Sequence, residues 1–137
     1  MPLQLDIVTP EKKIFSDTVD NVYLPGADGE MGILPQHAGL VTALQPGELR
    51  YQHHGKVETL AIGSGFAEVT QTKVIVLTDS ALGEAEIDEA HVEEAIKRAH
   101  EKLATMDHNM NAEEVAYLQG VISKSAAALT FKRKYRR

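Results

Sequence analysis

Six histidines, two nearby carboxylates and a serine between glycines are the side chains of this 137-residue chain whose types and spacing invite chemistry. His37, His53, His54, His91, His100 and His108 form no i,i+4 pair on a helix face, and no cysteine assists them. Adjacent side chains on a strand or tight turn point apart, so His53-His54 reads as two solvated turn histidines and no metal site is expected. Asp28 and Glu30 could act as acid and base only if something buried one of them and parted their pKa values. They sit in an exposed acidic turn, which suits docking to a partner's polar groups better. Gly63-Ser64-Gly65 begins like a dinucleotide loop, but the third glycine is missing and an apolar strand follows instead of a helix. Ser64 also lacks the spacing of a nucleophile elbow. No catalytic residue is expected, and a hydrolase reading finds no convergent set of nucleophile, base and carboxylate.

The elements that position these residues fall into two kinds. Leu3-Gln4-Leu5-Asp6-Ile7 alternates apolar and polar residues, the period of a half-buried strand. Further runs follow at 19–24, 31–34, 40–44, 49–51, 57–62, 66–69 and 74–77, separated by Pro, Gly and polar turns. His53-His54-Gly55-Lys56 and Thr70-Gln71-Thr72-Lys73 read as hairpin turns. Turns recurring every 8–12 residues or so predict an all-β sandwich or barrel without β-α-β units. Within this region, Pro25 to Ala38 holds three glycines three residues apart and two prolines, which fix a stiff backbone path.

The pattern changes at Ile87-Asp88. Asp88 is placed to cap a helix, with Ile87 and Val92 as a hydrophobic staple. Val92, Ile96, Ala99, Leu103 and Met106 share one face, and Glu93–Lys97 and Glu94–Arg98 have the favourable i,i+4 order. Met106 to Met110 has the composition of a linker. Asn111 and Glu114 have capping-box spacing ahead of a second stripe, Val115, Leu118, Ile122, Ala126 and Leu129. Two helices of similar length joined by a few residues predict an antiparallel hairpin. The fold class is therefore α+β, with an all-β sandwich over residues 1–84 and a helical hairpin over 85–137. Each helix carries one narrow stripe, so the hairpin is expected to be the looser part.

Charge follows the same division. Residues 1–86 carry 12 acidic and 5 basic side chains; residues 87–137 carry 8 and 9. Five of the last six residues are basic: Lys132, Arg133, Lys134, Arg136 and Arg137. Two surfaces of opposite sign are implied. A basic end could meet nucleic acid, but an acidic body would repel phosphates. The absence of cysteine excludes disulfides and permits a reducing compartment. Met1 to Asp6 lacks the basic and long apolar segments of a signal peptide, and no apolar run is long enough to span a membrane.

Two separated motifs resemble those of the epsilon subunit family of the bacterial and chloroplast F-type ATP synthase. They are Gly29-Glu30-Met31-Gly32-Ile33-Leu34-Pro35-Gln36-His37-Ala38 and Gly63-Ser64-Gly65-Phe66-Ala67-Glu68-Val69. The opening Leu5-Asp6-Ile7-Val8-Thr9-Pro10-Glu11 is similar to the family's first strand. The resemblance, which covers nearly the whole chain, implies a sandwich of about ten strands and then two helices. It implies a non-catalytic rotor subunit of the central stalk, bound to the gamma subunit and the c-ring, without direct membrane insertion or nucleic acid. The complex would be peripheral to the cytoplasmic face of a bacterial inner membrane or the stromal face of a thylakoid. Asp28, Gly29, Glu30 and Met31 would then face the c-ring, and His37 the gamma subunit. The helical hairpin would inhibit ATP hydrolysis by extending toward the beta (and alpha) subunits, with Lys132, Arg133, Lys134, Arg136 and Arg137 meeting an acidic segment of beta. Some members bind ATP through Ile/Leu-Asp-x-x-Arg-Ala. Here Ile87 and Asp88 match, but His91 and Val92 stand in place of the Arg and Ala. Histidine lacks arginine's permanent charge and forked donor. A weak nucleotide site at Ile87, Asp88 and His91 is the most the motif implies, and no cofactor is expected.

Overall fold

A computed structural model describes residues 3–27, 29–33, 39–105 and 112–135. The chain divides into two units, Met1–Gly83 and Glu84–Arg137.

The first unit contains β1 (Leu3–Val8), β2 (Lys13–Val19), β3 (Asn21–Gly26), β4 (Gly29–Ile33), β5 (Leu40–Leu44), β6 (Gly47–His53), β7 (Lys56–Ile62), β8 (Gly65–Val69), β9 (Lys73–Thr78) and β10 (Ala81–Leu82). Their order is β10-β7-β6-β3-β5-β8-β9-β1-β2, with β4 paired to β3. All pairings among the described residues are antiparallel except β1 with β9, which is parallel in the register Gln4↔Lys73 to Val8↔Leu77. Among the described residues no helix lies between those two strands in sequence, so the parallel pair arises without a β-α-β unit.

Period-two burial builds the core. Leu3, Leu5 and Ile7 of β1, Val22 and Leu24 of β3, Leu49 and Tyr51 of β6, Ala67 and Val69 of β8 and Val74 and Val76 of β9 turn inward together. The core is aliphatic except for Tyr51, with Phe15 packed against it, as the scarcity of aromatics implies. The turn joining β6 to β7 has φ +52° at His54 and +76° at Gly55, the two-positive pattern whose twist suits a two-residue hairpin.

The strand β2 went unread in the sequence. Lys13, Ser16, Asp17 and Thr18 leave it no apolar face of its own, and most of its residues are exposed. It is a strand because β1 supplies a ladder for it, from Leu3↔Val19 to Val8↔Lys13 with a register shift at Ile7/Val8. A charged strand at the end of the sheet order also discourages edge pairing with other chains.

The second unit holds a 3-10 turn at Glu84–Glu86, then α1 (Glu89–Ala104) and α2 (Ala112–Tyr135). Asp88 caps α1, its Oδ1 accepting from the Ala90 and His91 amides at 3.0 and 3.3 Å. Ile87 is buried and Val92 half-buried, as a staple requires. Arg133 near the end of α2 pairs with Glu93 near the start of α1, so the helices run antiparallel.

Three helix expectations need correction. The helices differ in length, 16 against 24 residues. Glu94–Arg98 forms at 2.6 Å, but the Glu93 carboxylate engages Arg133 of the facing helix at 2.9 Å instead of its own helix's Lys97. Ala126 is exposed while Phe131 is buried. At 3.6 residues per turn, Ala126 lies about 80° round the helix from Leu118, whereas Leu129 lies about 20° away. The true stripe passes through Leu118, Ile122, Ser125, Leu129 and Lys132, all buried or half-buried. Met106 to Asn111, which include the expected linker and second cap, lie outside the described residues.

Candidate functional site

The β3–β4 hairpin carries the acidic turn. Gly29 has φ +128°, a conformation other residues rarely adopt. Glu30 sits on β4 opposite Pro25, and its Oε1 accepts from Arg50 Nη2 of β6 at 2.9 Å. The same Arg50 lies over the Tyr23 ring, 4.9 Å from its centroid. Tyr23 pairs with both Arg50 and Gly32, one on each neighbouring strand. A Cβ on Gly32 would press on the Tyr23 ring at 2.9 Å, so Gly32 makes room for that ring. Glu30 is exposed, and its carboxylate is paired with Arg50. Its charge is balanced by a residue 20 positions away that sequence spacing could not reveal. Met31 is half-buried and packs against the core. Asp28 and His37 lie outside the described residues.

Gly63-Ser64-Gly65 has a steric explanation. A Cβ on Gly65 would collide with the Leu77 carbonyl, and one on Gly63 with the Asp79 carboxylate. The glycines let β8 start against the end of β9, where Gly65 faces Thr78.

That same segment exposes a row sequence reasoning did not single out. Ala43, Phe66 and Leu77 are successive cross-strand partners on β5, β8 and β9, and Val8 of β1 follows opposite Leu77. Phe66 is 59% exposed, Leu77 52%, and Val41, two residues before Ala43, 72%. The signal was available: Phe66 shares strand parity with the charged Glu68, so it had to face outward. These side chains leave exposed apolar area along one outer row of the sheet.

In the second unit, Lys132 is only 18% exposed in its side chain. Its Nζ donates to the Glu84 carbonyl at 3.0 Å and pairs with the Glu84 carboxylate at 2.8 Å. This contact assigns Glu84 to the helical unit. Arg133 holds Glu93, and the Lys134 ammonium lies 5.1 Å from the Tyr135 ring centroid. Arg136 and Arg137 lie outside the described residues. Of the nucleotide-motif residues, Ile87 is buried and the Asp88 carboxylate caps α1, while His91 is exposed.

The two adjacent histidines do not point apart. The left-handed backbone at His54 swings its ring back, and the two ring centroids lie 3.9 Å apart. His53 Nε2 also meets Asp17 Oδ2 of β2 at 3.0 Å. The Thr18 amide, donating to Asp17 Oδ1, is the main cause that holds the Asp17 carboxyl below its usual pKa, with His53 next.

Comparison with known proteins follows the fold closely. Residues 2–84 match the family model described as ATP synthase, Delta/Epsilon chain, beta-sandwich domain. An ATP synthase epsilon chain of Desulforamulus reducens is 50% identical over 100 residues, covering 73% of this chain and 76% of that protein. One from Herpetosiphon aurantiacus is 39% identical over 129 residues, covering 94% and 93%. Among solved structures, a chain of the Euglena gracilis mitochondrial ATP synthase OSCP/F1/c-ring assembly superposes with a TM-score of 0.74 at 26% identity, covering 93% of this chain and 81% of that one. A chain of the Tetrahymena thermophila mitochondrial ATP synthase central stalk/c-ring shares the fold at a TM-score of 0.66 and 9% identity, covering 96% and 97%.

Proposed function

This chain belongs to the ATP synthase delta/epsilon family, and from that membership we propose that it is a rotor subunit of the central stalk, joining gamma to the c-ring and restraining ATP hydrolysis through its helices. It is a component of the synthase complex rather than the catalytic subunit. The reading is supported by a sandwich that buries its core while Val41, Phe66 and Leu77 stay exposed on one outer face, beside the charged Glu68. A subunit carried on a rotating shaft must be gripped, and the Val41, Phe66 and Leu77 face offers the burial that a grip requires. The β3–β4 hairpin, braced by Glu30, Arg50 and Tyr23, would present Asp28 and Gly29 stiffly to polar loops of the c-ring. Attachment to the membrane would come through that ring; no helix among the described residues is long and apolar enough to cross a membrane. The basic residues from Lys132 to Arg137 would meet acidic groups on beta once Lys132 and Arg133 are released from Glu84 and Glu93.

The observation that carries the reading is the exposed row at Phe66 and Leu77. Burying either side chain fully is worth about 2 kcal/mol, or about 30-fold in affinity. Phe66→Asp and Leu77→Asp, both at exposed positions, are expected to leave the fold intact and to abolish co-purification with gamma. Unchanged capture of gamma by the double variant would overturn this docking face.

A further inference from the structure

We propose that Asp17, His53 and His54 form a divalent transition-metal site, with Zn²⁺ as the ion their chemistry fits, bridging β2 to the β6–β7 turn. Each residue offers one donor atom, and the three donors lie within 4.8 Å of one another. Around Zn²⁺, with bonds of about 2.0–2.2 Å, tetrahedral donors stand about 3.4 Å apart. His53 Nε2 and Asp17 Oδ2 are already 3.0 Å apart. Small rotations of exposed Asp17 and His54 complete the closure.

The donors are oriented from behind, as metal ligands need. His53 stands edge-on to Phe15, with ring centroids 5.2 Å apart, and lies 6.3 Å from the Tyr51 ring. The Thr18 amide holds Asp17 Oδ1 at 2.7 Å, which leaves Oδ2 facing His53. His54 is the one non-glycine residue among those described with positive φ. That backbone turns its imidazole toward its neighbour. Two imidazoles and one carboxylate suit zinc or nickel rather than magnesium or calcium, which prefer all-oxygen shells. The partly exposed setting leaves the remaining coordination positions to water. An ion at His53 Nε2 would take the place of the proton that Nε2 shares with the Asp17 carboxylate.

An ion held there would link strands that are not neighbours in the sheet order. It would bind the folded sandwich and not the unfolded chain, and so raise its melting temperature by mass action.

The test is calorimetric titration of the untagged full chain with ZnCl₂, with MgCl₂ as control, alongside the visible spectrum of the Co²⁺ form and imidazole nitrogen shifts by NMR. One equivalent of Zn²⁺ is expected to bind, with shifts at His53 and His54 and no response to Mg²⁺. His54→Asn tolerates the left-handed turn and removes the ring, and Asp17→Asn removes the anionic donor. Each is expected to weaken Zn²⁺ at least about tenfold. Binding of equal affinity in both variants, shifts confined to His91 or His100, or no one-to-one binding at all would each overturn the site.

Discussion

Asp6 shows how one side chain reports on the sandwich. It lies at 8% exposure, accepts from the Ser16 hydroxyl at 2.7 Å and the Gln4 amide at 3.0 Å, and pairs with Lys73 at 3.2 Å. The Ser16 bond is the largest cause, and together these partners outweigh burial and lower its pKa from 3.8 to about 2. A depressed carboxylate stabilises the fold above its unfolded pKa, and the benefit is lost as pH falls through the folded value. Asp6→Asn is therefore expected to cost about 2 kcal/mol at pH 7. The gap between variant and parent should narrow steadily from pH 4 toward pH 2. Urea unfolding followed by circular dichroism across that range checks it, and a gap independent of pH would contradict the pairing. In the sequence, Asp6 is only the polar beat of an alternating strand. Its burial depends on Ser16 in β2, a strand whose polar composition hides it, so the partner could not be foreseen.

Elements were legible where the apolar period decides their structure and obscure where a neighbour does. The runs in β1, β3, β5, β7, β8 and β9 and the Asp88 cap follow from residues within each element. The strand β2 needs the ladder of β1, and β10 has only two residues, so neither has a period to read. In α2 the register was misjudged because Ala126-Ala127-Ala128 offers three small residues with little to choose among them. The correct face includes Lys132, which a polarity pattern assigns to solvent. Its aliphatic stem shares the Leu129 face while its ammonium holds Glu84. This half-buried bond ties the end of α2 to the turn preceding α1, whereas Arg133–Glu93 is exposed and worth under about 1 kcal/mol. Separating the end of α2 from the turn before α1 must break the Lys132 contact. Glu84→Gln is thus expected to loosen the hairpin and speed amide exchange in α2, with Glu93→Gln having a smaller effect. Equal protection of α2 in parent and Glu84→Gln would show that the contact does not restrain it.

At the scale of the molecule, the division between units decides what truncation does. The sandwich core draws its buried residues from Leu3 through Ala81 and none from the helices. Removing residues 87–137 therefore leaves that core complete, together with the Val41, Phe66 and Leu77 face and the Glu30–Arg50 brace. It removes the caps, the paired stripes and every basic residue of the C-terminal segment. If the helices act as the brake on hydrolysis, the truncated chain should still assemble into reconstituted synthase, and ATP hydrolysis should rise. Glu84→Gln should move the full-length complex the other way, toward stronger inhibition, because a loosened hairpin reaches its inhibitory form more often. The two variants separate a brake from a strut: a strut lost by truncation would lower assembly and leave Glu84→Gln neutral. Hydrolysis that is unchanged in both, with assembly intact, would leave the basic helix without an inhibitory role in this synthase.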